Sequence, residues 1–188
     1  MMSQTEATPQ ESGHESRLID RARKGDQKAF RSLYEFHVGP LFRFLLQFAS
    51  DRDEARDWVQ RAFIRAFEHL GQFDRRSLFG TWLFTIGLNE MRTDRRRKNI
   101  IDLEPDLSSL ADGSSESTEE FVWSSAMRHW LDMLDTQKRS VFVLHEIEGF
   151  SHKEIAAMLH IEESHSRTIL TRVRSYLQRR WTGERKAL

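Results

Sequence analysis

The sequence predicts an all-α protein: two small helical domains joined by a flexible acidic linker, the second carrying a helix-turn-helix. Three observations carry that expectation. Apolar residues recur at helical spacing through most of the chain, and strand-like alternation is nowhere sustained. Only 3 of the 188 residues are proline and 9 are glycine, few interruptions for helices. A stretch rich in Pro, Gly, Ser and carboxylates, residues 99–120, separates two regions of regular pattern. Thirteen Phe and five Trp supply enough large apolar side chains for two modest cores.

Taken in order, residues 1–16 are polar, lack an apolar period and read as a disordered tail. The first domain, 17–98, opens with a short helix through Leu18 and Ala22, which Gly25 ends. Asp26 caps the next, carrying Ala29, Phe30, Leu33, Tyr34 and Val38. Pro40 opens a third helix through Phe42, Leu45, Leu46 and Phe48. Asp51 or Asp53 caps a fourth that runs to Leu70, with Gly71 as its stop. Residues 71–77 form a basic loop, and a fifth helix runs from Phe79 to about Lys98. After the linker, the second domain spans 121–182 and a short tail 183–188. Asp135 and Thr136 start a helix with Val141, Phe142, Leu144 and Ile147, ending at Gly149 and Phe150. Ser151 and Glu154 make a capping box ahead of Ile155, Ala156, Met158 and Leu159. Ala156 and Ala157 are small enough for close helix crossing. Residues 160–163 turn, and a last helix begins near Ser164.

A formal net charge of zero conceals how the charges are sorted. Residues 1–20 carry net −3, 21–98 net +7, 99–127 net −7 and 128–188 net +3. Two basic blocks flank an acidic connector, the pattern of polyanion-binding domains joined by a segment that polyanions repel. The chain has no cysteine, which removes disulfides, thiolate metal sites and thiol catalysis. No run approaches the roughly 18 apolar residues of a membrane helix, and the start is polar. A cytoplasmic location is expected.

At about 100° per residue, the last helix places Ile169, Leu170, Val173, Tyr176 and Leu177 on one arc facing the core. Ser164, Arg167, Thr168, Thr171, Arg174, Ser175 and Gln178 fall opposite, flanked by Arg172 and Arg179. A basic, hydroxyl-lined face on the second helix of a helix-turn-helix suits a DNA major groove. In the first domain, the helix over 53–70 has a core arc of Ala55, Val59, Ala62, Phe63, Ala66, Phe67 and Leu70. Its far side carries Asp57, Gln60, Arg61, Ile64 and Glu68, with Trp58 at the border. Ile64 and Trp58 inside an acid-and-amide rim read as a protein-binding patch. The 74–78 loop and the arginines from Arg92 to Arg97 suit unstacked bases and phosphates. Trp82, Leu83, Phe84 and Ile86 read as core.

At this point the residues resemble a known family. LIDRARKGDQKAFRSLY (18–34) is similar to the opening of extracytoplasmic-function (ECF) sigma factors, small alternative sigma subunits of the sigma-70 family of bacterial RNA polymerase. DWVQRAFIRAF (57–67) resembles their core-binding helix. FGTWLFTIGLN (79–89) resembles the segment that opens and reads the downstream (−10) promoter element. SHKEIAAML (151–159) with the Arg-rich helix is similar to the domain that binds the upstream (−35) element. The likeness covers about residues 18–181 in the family's order and spacing.

The resemblance implies site residues. Asp57, Gln60, Phe63 and Ile64 match the surface, or its support, that grips a coiled coil of core RNA polymerase. Asp74, Arg75, Arg76, Ser77 and Leu78 match the loop that captures a flipped base of the downstream element. Asn89, Arg92, Arg95, Arg96 and Arg97 match the helix contacting the same element and its phosphates. His165, Arg167, Thr168, Thr171 and Arg172 match positions facing the upstream element, and the helical wheel adds Arg174 to them. The implied partners are core RNA polymerase, promoter DNA and an anti-sigma factor. Asp102, Glu104 and Asp106 lie where the family's linker passes near the polymerase active site, in a channel built for RNA phosphates. Three departures stand out: Arg61 replaces a usual acidic residue, Gly80 and Gly87 replace larger ones, and SHSRTI (164–169) replaces a more frequent segment.

The residues also leave other classes to weigh. No Gly-rich phosphate loop, His-Glu-x-x-His or Gly-x-Ser-x-Gly is present, so no enzyme, cofactor or small-molecule substrate is expected. His145, His152, His160 and His165 are dispersed, and no metal site is expected. A helix-turn-helix regulator acting without polymerase is the alternative. A purely protein-binding adaptor fits the basic blocks least.

Overall fold

The structure, a computed structural model, describes residues 9–101 and 125–185. Among these it is helical without strands, and it divides into two compact units, 1–113 and 114–188. The boundary falls within the stretch read as linker. Residues 102–124 and the ends, 1–8 and 186–188, are outside the described residues, and so are Asp102, Glu104 and Asp106.

The first unit contains α1 (Pro9–Arg23), α2 (Gln27–Leu46), α3 (Arg52–Glu68), a 3₁₀ turn (Leu70–Gln72) and α4 (Phe79–Ile101). Helix α1 begins inside the stretch read as a disordered tail, which corrects that reading for residues 9–16. Proline suits a first helical position because it lacks the N–H that would go unpaired there. Further along, Ile19 and Ala22 are buried and Glu15 pairs with His37. The Glu15 contact is tertiary, so a polar stretch without an apolar period gave no sign of it. Asp26 caps α2 by accepting from the amides of Lys28 and Ala29 (2.9 and 3.2 Å), and Gly25 precedes it in the left-handed region (φ +84°).

Pro40 does not open a helix; it lies inside α2. An interior proline costs about 3 kcal/mol. Leu33, Leu41, Phe44 and Leu45 are all essentially fully buried, at about 1.5–3 kcal/mol each, so continuing the helix prevails. The amide that Pro40 lacks would have bonded the carbonyl of Phe36, a residue 61% exposed. Asp51, not Asp53, caps α3, accepting from the Glu54 amide at 2.8 Å, while Asp53 pairs with Arg56. Helix α3 stops at Glu68 and the chain tightens into the 3₁₀ turn before Phe73.

Gly87 shows why α4 needs a missing side chain at one point. A Cβ there would lie 2.9 Å from Leu41 Cδ1 and 3.4 Å from Leu45 Cδ1, so a larger residue would force the buried Leu41 side chain of α2 to shift in a packed core. Gly80 is different: its Cβ would make ordinary contact with His37 at 3.5 Å. Helix α4 continues to Ile101, into the stretch read as linker; no Gly or Pro stands between Lys98 and Pro105.

The second unit contains α5 (Ser125–Asp132), α6 (Thr136–Glu146), α7 (His152–Leu159) and α8 (Glu163–Arg185), the last reaching into the stretch read as a tail. Asp135 caps α6 by accepting from Lys138 N (2.8 Å). The capping box is complete: Ser151 Oγ accepts from Glu154 N (3.3 Å), and Glu154 Oε2 accepts from Ser151 N (2.9 Å). Ser151→Ala should lower the stability of this unit by about 1 kcal/mol, read as a shift in thermal melting. His160, left-handed at φ +54°, ends α7. Val141, Leu144, Ile155, Met158, Ile169, Leu170, Val173 and Leu177 form the core, while Tyr176 is half-buried and Ala157, expected at a helix crossing, is exposed. Among the described residues no helix is long and apolar enough to cross a membrane, and no group of three or more His, Asp or Glu is placed to hold a metal.

Candidate functional site

On α3 the outward face is Asp57, Gln60, Arg61, Ile64, Arg65 and Glu68, with Ile64 48% exposed at its centre. Trp58, expected at the border of this patch, is fully buried, and so is Phe63 at 3%. Phe63 therefore supports the surface from below and is no part of it. Its ring packs 4.7 Å from Tyr34, whose own ring reaches the exterior. Beside Ile64, a groove of about 400 Å3 runs between α3 and α4.

An ion-pair network crosses that groove. Arg61 pairs with Asp57 one turn back and with Asp94 of α4 at 3.0 Å. Lys98 reaches both Asp94 and Glu54, and Arg65 pairs with buried Glu90 at 2.5 Å. Burial pushes the Asp94 carboxyl up, but the hydrogen bond from Arg61, the neighbouring Trp58 indole and the Lys98 charge outweigh it, so its pKa lies below the usual value. The buried Trp58 indole N–H itself makes no hydrogen bond of good geometry. The Asp94 contact likewise raises the Arg61 pKa. Arg61 thus ties α3 to α4, with two carboxylates on a side chain that stands where the family usually has an acid. The pairs that join the two helices, Arg61–Asp94, Arg65–Glu90 and Lys98–Glu54, lie 25 to 44 residues apart, beyond any helical-spacing rule.

The 74–78 loop is exposed throughout, Leu78 at 51%. Asp74 accepts from the Arg76 amide (3.1 Å) and pairs with its guanidinium (3.0 Å). Arg75, left-handed at φ +62°, turns back to pair with Asp20 of α1. Trp82, expected in the core, is half-buried with its ring against Phe73 and Phe79. Along α4, Asn89, Arg92 and Arg96 share a face at helical spacing, and Arg97 lines the groove. Arg92, Arg96 and Arg97 make no ion pair among the described residues. Arg95 is directed inward: it donates to the Phe48 carbonyl and lies 6.0 Å over the Phe48 ring.

On α8, His165, Arg167, Thr168, Thr171 and Arg172 are all exposed. Thr168 and Thr171 donate their hydroxyls to the carbonyls of Ser164 and Arg167 (2.9 and 3.0 Å). Their oxygens are left outward as acceptors and their methyls as apolar contacts, chemistry that fits base amino groups and the thymine methyl. Arg167 pairs with Glu163 on its own helix, an exposed i,i+4 pair. Arg172 has no ion pair among the described residues. Arg174 is engaged by Glu146 of α6 (Nε to Oε1, 3.0 Å).

Beneath this helix, His145 and His152 stack with centroids 4.4 Å apart and planes 15° apart. His145 Nδ1 donates to the Phe150 carbonyl (2.9 Å), and His152 Nδ1 meets the buried Ser166 hydroxyl (2.9 Å). Burial, His145 and Arg167 hold the His152 pKa below its ordinary value, with Glu163 acting the other way. The unfolded chain therefore takes up this proton at higher pH than the folded one, and stability is lost as pH falls below about 6.5. Melting curves at about pH 5 and pH 7.5 should show the second unit weaker in acid, and His152→Gln should reduce that difference.

With this geometry in place, the chain can be compared with known proteins. The family model for Sigma-70 region 2 matches residues 33–100 and that for Sigma-70 region 4 matches 125–177. The RNA polymerase sigma factor NccH of Alcaligenes xylosoxydans xylosoxydans is 34% identical, over 76% of this chain and 81% of that protein. The ECF RNA polymerase sigma factor SigW of Bacillus subtilis is 28% identical, over 86% and 93%. The chain belongs to the ECF branch of the sigma-70 family. This ECF sigma factor also shares its fold with CnrH, solved in complex with the cytosolic domain of CnrY. The TM-score is 0.68 at 29% identity, over 90% of this chain and 97% of that one. As a family member it is an alternative sigma factor, directing transcription initiation. Region 2 spans the groove, the loop and the arginine helix; region 4 spans the helix-turn-helix.

Proposed function

We propose that this sigma factor docks on core RNA polymerase through Asp57, Gln60 and Ile64 of α3, with Phe63 as support. Asp74, Arg76, Ser77 and Leu78 then receive a flipped base of the downstream element. Asn89, Arg92, Arg96 and Arg97 hold the adjoining bases and phosphates. His165, Arg167, Thr168, Thr171 and Arg172 read the upstream element in its major groove. Arg75, Arg95 and Arg174 act through the partners that already engage them, Asp20, Phe48 and Glu146. The sigma factor supplies recognition and no catalytic step of its own, and it works in the cytoplasm with the polymerase. A protein of the anti-sigma kind is a further partner, supported by the complex that CnrH forms with the cytosolic domain of CnrY.

One observation carries this reading: two units in one chain each present a basic, outward face, and the first adds an exposed isoleucine on a separate helix face. Run-off transcription with core polymerase and genomic fragments tests it. Promoter-specific transcripts should appear only when both proteins are present. Transcription indifferent to the added protein, or DNA recognition that needs no polymerase, would overturn it.

A further inference from the structure

We propose that Asp20 and Arg23 of α1 are positioning residues that set the base preference of the 74–78 loop. The inference rests on reading that loop as the receiver of a downstream-element base. Helix α1 lies before the matched region, which begins at residue 33.

One side of α1 holds both ends of the loop and its bend. Arg23 Nε donates to the Leu70 carbonyl at 3.1 Å and its Nη2 to the Phe73 carbonyl, pinning the segment that enters the loop. Glu15 pairs at 2.7 Å with His37 Nε2; His37, 6% exposed, lies under Gly80 in the first turn of α4, where the loop ends. Between them, Asp20 pairs with Arg75, whose Nη2 also reaches the Ser16 carbonyl at 3.5 Å. Residues 16, 20 and 23 follow helical spacing, and the burial of Ile19 and Ala22 on an adjoining side anchors the helix.

Arg75 is left-handed, a conformation a non-glycine residue keeps only where its surroundings hold it. The Asp20 carboxylate supplies that hold. With Phe73 pinned, the bend at Arg75 directs Arg76, Ser77 and Leu78 outward and draws the Arg75 cation away from the surface they form. Without Asp20 the bend relaxes, and a second guanidinium is released toward DNA. Phosphate attraction then rises while discrimination between bases falls.

The test is transcription by the holoenzyme on templates differing by single bases in either promoter element. Asp20→Asn replaces an exposed carboxylate, so folding and core affinity should hold. The ratio between downstream-element variants should narrow by about two- to five-fold, the size of one exposed ion pair with its bend. Ratios between upstream-element variants should stay unchanged, Asp20→Glu should keep the original ratios, and Arg23→Gln should narrow them as Asp20→Asn does. Unchanged downstream ratios in Asp20→Asn, where Leu78→Ala does alter them, overturn the role of α1 and leave the loop reading standing. If Leu78→Ala also leaves them unchanged, the loop reading falls and the proposal with it. Equal narrowing at both elements, or weakened core binding, shows a general structural role and overturns it as well.

Discussion

Ile64→Asp should weaken binding to core RNA polymerase by about 2 kcal/mol or more, roughly 30-fold, while the free protein stays folded. Ile64 is half-exposed, so a carboxylate there is solvated before docking and costs the isolated chain little. On docking, the same carboxylate must be desolvated at the centre of the patch, where apolar contact is lost as well. Phe63→Ala provides the contrast. Phe63 is buried against Tyr34 and Phe67, so its truncation should cost about 3–5 kcal/mol of folding stability. Competition binding against labelled wild-type protein, with circular dichroism of each variant, separates the two. Ile64→Asp binding core polymerase as tightly as wild type would remove α3 from the docking surface.

Arg172→Ala should cost about 1–3 kcal/mol of upstream-element recognition, about 5- to 150-fold, with downstream preference intact. Arg172, unlike Arg167 and Arg174, has no ion pair among the described residues. Arg167 must leave Glu163, a pair worth only about 0.5 kcal/mol, so it is readily released. Arg174→Ala breaks the link to Glu146 of α6, and its effect should appear in stability as well as in binding. A base contact by Arg172 relaxes preference at one upstream position. A phosphate contact instead weakens all sequences alike and lowers the salt slope by about one. Binding measured across salt and across upstream variants distinguishes these outcomes. No loss on any template would remove Arg172 from the interface.

Where structure depends on near neighbours, it was legible in the sequence. Asp26, Asp51, Asp135 and Ser151 all cap helices because each needs only an amide two or three residues ahead. The alternation of basic blocks and acidic connector, the helix-turn-helix and the outward face of its second helix follow from spacing alone. Gly87 could be seen as a departure but not explained, since its reason is the approach of Leu41 from another helix.

Tertiary structure decided where local rules compete with burial or where partners are far apart along the chain. Pro40 signals a helix start by local rule, yet buried Leu41, Phe44 and Leu45 carry α2 through it. Trp58 sits at a wheel border, but it is buried and lies against Asp94 of α4. Arg61, Arg75, Arg95 and Arg174 look alike as basic residues, yet each has an acceptor 28 to 55 residues away. A short-range hydrogen bond is written into residue spacing, because the helix itself sets the geometry. Which guanidinium remains free for DNA depends on which carboxylates and carbonyls packing brings within reach, and only the folded chain settles that.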